Sequence, residues 1–304
     1  MKKILISMLA VAALVSCSKE ESIRVDQGEA IAFGNAFVDN STRADYSDGV
    51  QKLTKFNVYG TVTGTAGTVN IFDGVEVTGT VGNAVWSYAE QYAQYWIAGA
   101  DYNFAAVVDA NVATKDAYNM PLTLTTIADD ATSNLEDMLY ATASVVDATA
   151  DQAPVNFTFS HLLSKAKFTV TSNAEGGYYH TVTGIKVSNF ETGTYTIAGG
   201  TWAGTGSKDV AFAEIAEVTN ASGAKSNAEM LLVPNAATFN VTFTVNLYKD
   251  GTMLGTETKN IAVANDLVKG NAYNFTIDCS VGNPIQFTVT NDPTWTTQPD
   301  VTVQ

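Results

Sequence analysis

Phe239-Asn240-Val241-Thr242-Phe243-Thr244-Val245-Asn246-Leu247-Tyr248 sets five apolar side chains at odd positions against polar or amphipathic ones at even positions. A period of two is that of a strand with one face in a core and the other in water. The stretch runs into Asp250-Gly251, a dipeptide suited to a tight hairpin turn. Working outward, the same alternation recurs between Gly, Asn and Asp residues. Phe56, Val58 and Val62 share a parity, as do Val69, Ile71, Val75 and Val77; Tyr102, Phe104, Ala106 and Val108; and Val155, Phe157 and Phe159. Near the N-terminus, Ala30 to Val38 forms one more strand, with Ile31, Phe33 and Phe37 on its oily face. No segment carries a helical stripe over three turns; the best candidate, Ala84 to Ala93, is short. The fold class is all-β.

Composition agrees. The chain has 304 residues, 46% of them hydrophobic and 15% charged, with 39 threonines and 23 glycines, a balance that favours half-buried pleated surfaces over solvated helices. Its net charge of −15 contains no cluster of Lys and Arg, which argues against nucleic acid and polybasic membrane binding. Roughly 260 residues follow Arg43, more than one sandwich of about 100 residues uses, so two β-sandwich domains in tandem are expected. The boundary falls near Asp151, in the small-residue stretch Ala141 to Ala153.

The first residues are an export signal. Lys2 and Lys3 precede an apolar run, Ile4 to Val15, too short to cross a bilayer as a helix. Leu14-Val15-Ser16-Cys17 resembles a bacterial lipobox, which would make Cys17 the lipidated N-terminus; the alternative is a plain secretory signal with an incidental cysteine. With Cys17 acylated, Cys279 has no disulfide partner and reads as a small buried apolar residue continuing Tyr273, Phe275 and Ile277.

Catalytic patterns are missing. The two histidines, His161 and His180, stand in no triad frame, and no G-x-S-x-G, H-E-x-x-H, C-x-x-C, Walker or dinucleotide motif is found. His161 reads as a strand-end residue bonded to backbone. No catalytic residue, cofactor or metal ligand is assigned. Two weaker constellations remain: Asp129, Asp130, Asn134, Glu136 and Asp137 place oxygen atoms that calcium would accept in one loop without EF-hand spacing, and Trp86, Tyr88, Tyr92, Tyr95 and Trp96 form an aromatic run able to stack on sugars or to serve a core.

Taken together, the lipobox at Cys17, the strand followed by Thr42-Arg43-Ala44, Tyr95-Trp96, Tyr102-Asn103-Phe104, Phe159 to Lys167, Leu231-Leu232-Val233-Pro234, Gly270 to Phe275, and a tail with Ile285, Phe287 and Trp295 resemble the fimbrillins, lipoprotein pilins of type V pili in Gram-negative bacteria. The resemblance implies two transthyretin-like sandwiches, delivery to the outer membrane through the lipid on Cys17, and cleavage after an arginine that lets the first strand leave. A neighbour's C-terminal tail then fills the groove, building an extracellular fimbria that supports adhesion to host or bacterial surfaces. Carried onto this chain, residues 1–16 are the signal peptide, 17–43 the lipidated segment with the removed strand (Ile31, Phe33, Phe37), 44–152 and 153–283 the two domains, and 284–304 the donor tail. The cut falls between Arg43 and Ala44. Ile285, Phe287 and Val289 form the donor row, with Pro284 at the strand's start and Pro293 and Pro299 beyond it. The rival expectations are a monomeric surface lipoprotein that binds glycans through exposed aromatics, and a tip or anchor component of the fimbria in place of a stalk subunit.

Overall fold

The computed structural model describes residues 28–38, 53–79, 86–127, 134–235, 238–264 and 266–292. Among them run twenty strands: β1 (Phe33–Val38), β2 (Lys55–Gly64), β3 (Gly67–Thr78), β4 (Asp101–Val108), β5 (Ala110–Lys115), β6 (Pro121–Thr126), β7 (Leu139–Val145), β8 (Val155–His161), β9 (Ser164–Thr171), β10 (Tyr178–Asn189), β11 (Thr192–Thr196), β12 (Thr201–Thr205), β13 (Lys208–Ala211), β14 (Ile215–Val218), β15 (Lys225–Ser226), β16 (Met230–Leu232), β17 (Phe239–Lys249), β18 (Thr252–Val263), β19 (Ala272–Asp278) and β20 (Gln286–Asp292). The stretch read as the best helix candidate contributes only a 3-10 turn, Glu90–Tyr92.

Four sheets result. The first has the order β1-β8-β7-β4-β2-β3 and the second β12-β11-β6-β5; the third runs β15-β9-β19-β20 with β16 also on β9, and the fourth β13-β10-β17-β18 with β14 also on β10. The second sheet is drawn from both halves of the chain, because β6 pairs with β11 through Thr194↔Thr125, Tyr195↔Leu124 and Thr196↔Thr123. It covers one face of the first sheet: Tyr59, Ala105 and Val107 join Leu124 and Tyr195 in one cluster, while Val58, Phe104 and Ala106, of opposite parity, belong to another. That double cover explains why β4 reads as a nearly continuous apolar run. The third and fourth sheets enclose a separate core that includes Phe168, Val182, Phe243, Phe275 and Cys279.

The decisive stretch behaves as its period requires. Phe239, Val241, Phe243 and Val245 are buried, and Asp250 and Gly251 both take positive φ, 49° and 81°, as the hairpin turn demands. The parity read for Val69, Ile71, Val75 and Val77 is corrected, for Val69 is exposed and Phe72 is buried beside Val75 and Val77. The register jumps from Val58↔Val75 to Tyr59↔Asp73. Gly74, at φ 72°, is the extra residue of a bulge that puts Phe72 on the face of Val75; a second jump, from Gly60↔Phe72 to Thr61↔Asn70, leaves Ile71 unpaired and restores the parity ahead of it. Burial pushes the Cys279 thiol up to about 12, with Asp278 adding to the effect, so it is the inert apolar residue its alternation implies.

Candidate assembly site

The first sheet curls until its two edges nearly meet. Trp86 bridges to Phe33 of β1 while Ser87 bridges to Thr78 of β3, through Trp86 N–H to Phe33 O at 2.9 Å and reciprocal Thr78–Ser87 bonds at 2.8 and 2.9 Å. β1 is therefore the closing stave. On its other side it pairs in parallel with β8, from Phe33↔Val155 to Val38↔Phe159, with an irregularity after Phe33. Ahead of the strand, Ile31 N–H donates to Gln94 O at 2.7 Å, Trp96 N–H to Glu29 O at 3.1 Å, and the Tyr88 hydroxyl to Ile31 O at 2.6 Å.

Ile31, Phe33 and Ala36 are at most 2% exposed. Phe33 is the hub: its ring lies 5.5 Å from Phe72, 5.7 Å from Tyr88, 5.8 Å from Phe157, 6.0 Å from Phe104 and 6.4 Å from Phe56. Phe72 belongs to the far edge of the sheet, so this one side chain ties both edges together. The chain enters through Gly28, where a Cβ would stand 2.6 Å from the carbonyl oxygens of both Ala150 and Trp96; only glycine passes there without displacing backbone. Of the predicted row, the side chain of Phe37 lies outside the described residues.

The C-terminal row sits elsewhere. β20 pairs antiparallel with β19 over seven residues without a break, Ala272↔Asp292 through Asp278↔Gln286, and Ile285, Phe287 and Val289 are half-buried against the second core. The Phe287 ring is 6.0 Å from both Phe243 and Phe275. Within one chain the row thus completes its own sandwich, and the structure does not bring it to β1. Cys17, Arg43, Ala44, Pro293 and Pro299 lie outside the described residues.

The two weaker constellations come apart. Asp129 and Asp130 lie outside the described residues; Asp137 holds the His161 ring through Nδ1 at 2.8 Å, with side chains 9% and 15% exposed for His161 and Asp137. His161 does end a strand, and the Asp137 carboxylate is a partner that reading did not include. No group of three metal-ligating side chains occurs among the described residues. In the aromatic run Trp86 and Trp96 are buried in the first core, Tyr88 is half-buried, and Tyr92 and Tyr95 are exposed. Sequence reasoning missed that this run flanks β1; the signal available was its position, since an aromatic run between two strands of one sheet has a core to fill.

The fold and site define an all-β protein whose first sheet is closed by an N-terminal strand separated from β2 by residues outside the described set. A model of the family described as fimbrillin-like matches residues 42–293, and the chain belongs to that family. Among solved structures it is similar to a fimbrial protein from Bacteroides vulgatus, with 15% identity and a TM-score of 0.64, covering 88% of this chain and 100% of that one. It is also similar to proteins proposed to act in cell adhesion from Bacteroides ovatus (15% identity, TM-score 0.56, 90% and 99% covered) and Bacteroides uniformis (17%, 0.53, 88% and 98%). At such identities the likeness speaks for the fold. No curated protein matches the sequence.

Proposed function

We propose that the chain is the structural subunit of a cell-surface fimbria, exported as an outer-membrane lipoprotein through Cys17, cut between Arg43 and Ala44, and joined to further copies by strand exchange in which residues 284–304 replace β1. It supports adhesion and performs no catalysis. The observation that carries this is β1 itself: after a cut at Arg43 nothing covalent holds a strand whose Ile31, Phe33 and Ala36 are wholly buried. Losing Ile31 and Phe33 uncovers core at roughly 1.5–3 kcal/mol per large side chain and leaves backbone edges unpaired. An opened subunit is adhesive, and an extended segment with large side chains at every second position answers it by β-augmentation. Ile285, Phe287 and Val289 offer that spacing. In the monomer they rest on the second core only half-buried, so donation begins with the lighter of the two strand losses.

The test is Arg43→Ala in the full precursor. The variant should express normally, retain Ala30 to Val38 by mass spectrometry and stay monomeric, whereas native filaments should be built of chains starting at Ala44. Filaments of ordinary length from the variant would overturn strand removal. Cys17→Ala should abolish fatty-acid labelling and surface delivery; persistent labelling would rule out the lipid at Cys17.

A further inference from the structure

β18 ends the fourth sheet. One side of it pairs with β17 from Phe239↔Val263 to Lys249↔Thr252, and no described strand meets the other side. Its residues Thr252 to Thr258 are all exposed. Asn240 N–H donates to Ser188 Oγ of β10 at 2.7 Å, so even-numbered residues of β17 aim their backbone groups at β10 and odd-numbered ones at β18. Bonded residues of an antiparallel ladder face each other, which makes Val241↔Ile261, Phe243↔Lys259 and Val245↔Glu257 the bonded pairs. Thr256, Thr258 and Asn260 therefore turn their N–H and C=O groups outward, along a regular stretch that lasts until the register jumps from Leu247↔Gly255 to Tyr248↔Met253. Such an edge accepts another strand unless something guards it. A lysine on the inner face is one such guard, and Lys259 stands there opposite Phe243. Glu257 cancels it, for its carboxylate lies on the same face, 2.5 Å from Lys259 Nζ.

We propose that this edge pairs with the β18 edge of a second copy, antiparallel about a two-fold axis through Thr258, and that Glu257 and Lys259 select the pairing. In that register Glu257 of each copy stands opposite Lys259 of the other, so the charges alternate in sign around the axis. Because Thr258↔Thr258 and Thr256↔Asn260 take the hydrogen bonds, the charged pairs fall at the non-bonded positions, where facing Cα atoms approach to about 4.5 Å. Opposite charges at facing positions stabilise a sheet, and like charges weaken it. The neighbouring two-fold registers, with the axis through Glu257 or through Lys259, bring like charges together. A second fit follows from the same axis. Ile261 of one copy stands opposite Gly255 of the other, where a Cβ would meet nothing within 4 Å, leaving room for the half-buried isoleucine. No strand leaves its own sheet, so the contact is separate from strand exchange. It joins two closed subunits side by side through one continuous sheet that runs β13-β10-β17-β18 and back.

The test uses the uncleaved chain carrying Cys17→Ala and Arg43→Ala, in which neither a lipid nor an opened groove joins copies. Sedimentation over a concentration series reads the association. One strand edge is a small interface, so a reversible dimer with a Kd on the order of 0.1 mM is expected. K259E and E257K each set like charges face to face at both pairs and should weaken the dimer about tenfold or more, while the double variant E257K/K259E, which exchanges the charges, should restore it. The two side chains are 56% and 33% exposed for Glu257 and Lys259, so these variants should fold. Under mild oxidation Thr258→Cys should form a disulfide with its copy, since the axis holds those Cα atoms about 5.5 Å apart. Thr256→Cys, roughly 13 Å from its copy, should not. Cys279 is buried and stays silent in both. A monomer at every concentration up to about 1 mM, a dimer indifferent to the single reversals, a double variant no better than the singles, or cross-linking at position 256 in place of 258 would overturn the inference. Filaments play no part in these measurements, so this reading and strand exchange fail separately.

Discussion

β1 and β20 are both terminal strands with apolar residues at every second position, yet the molecule treats them differently. β1 is sealed: Phe33 touches five other aromatic rings, and backbone bonds reach it from β8 on one side and from the Trp86 to Trp96 segment on the other. β20 is laid on an edge, with one ladder to β19 and its inward row half-buried. A strand's contribution follows from how much of its inward row water still touches, and not from the row's sequence. The strand that is hard to lose is the one proposed to be cut away; the one proposed to be donated is loosely held.

The sharpest way to break this comparison is Phe33→Ala in the uncleaved protein. Emptying a wholly buried aromatic position should cost about 3–5 kcal/mol, read as a large fall in urea midpoint at unchanged slope. A loss below about 1 kcal/mol would mean that β1 does not close the first core.

Deleting residues 284–304 tests the other strand. Half-buried Ile285, Phe287 and Val289 should together contribute about 2–4 kcal/mol, so the truncated precursor should remain folded with a lowered melting transition, while forming no filaments. Collapse of that transition would show that the second core cannot stand without its tail, and strand donation would have to be withdrawn.

A smaller effect is expected at the entry to β1. Gly28→Ala forces a methyl against two carbonyl oxygens, at a cost of about 1–3 kcal/mol. In the Arg43-cleaved protein the same substitution should speed departure of the strand, measured as faster loss of the 17–43 fragment on gel filtration. Equal rates would place the hold on β1 entirely within its side chains.

The smallest effect separates the cores by pH. Burial lowers the pKa of His180, opposed by Asp278, and Ser172 Oγ lies 2.8 Å from its Nδ1. Because the folded state disfavours the proton, stability is full above the unfolded value near 6.5 and declines as pH falls through it. Native protein should lose more melting temperature between pH 7 and 5 than His180→Gln. Asp109 works in the opposite sense: burial first, then Asp137, raises its carboxyl, with Lys55 opposing, so its penalty grows as pH rises from its unfolded value.

Much of this was legible along the chain. Phe239 to Val245 and Val155 to Phe159 alternate, and each buried row lies where the alternation put it; in Tyr102 to Val108 the row that was read is buried, but Ala105 and Val107 of the other parity are buried as well. Phe72 of β3 was missed because bulges at Gly74 and Ile71 are invisible to parity counting, which assumes every residue is paired. Trp86 and Trp96 looked like surface aromatics as readily as core ones, since ring type does not encode which side faces water. Asp137 was grouped with its neighbours in sequence, while its partner, His161, stands 24 residues away.

By itself the sequence determined the class: a short-range period of two, turn residues between the runs, and too few charges for exposed helices leave only sheets. It also determined which terminal segments are able to act as strands, because that needs nothing beyond local alternation. Which strand seals a core and which merely rests on one was decided by tertiary structure alone. So was the joining of both halves through β6 and β11, because strand partners are chosen by contacts between residues far apart in the chain, and no local pattern records them.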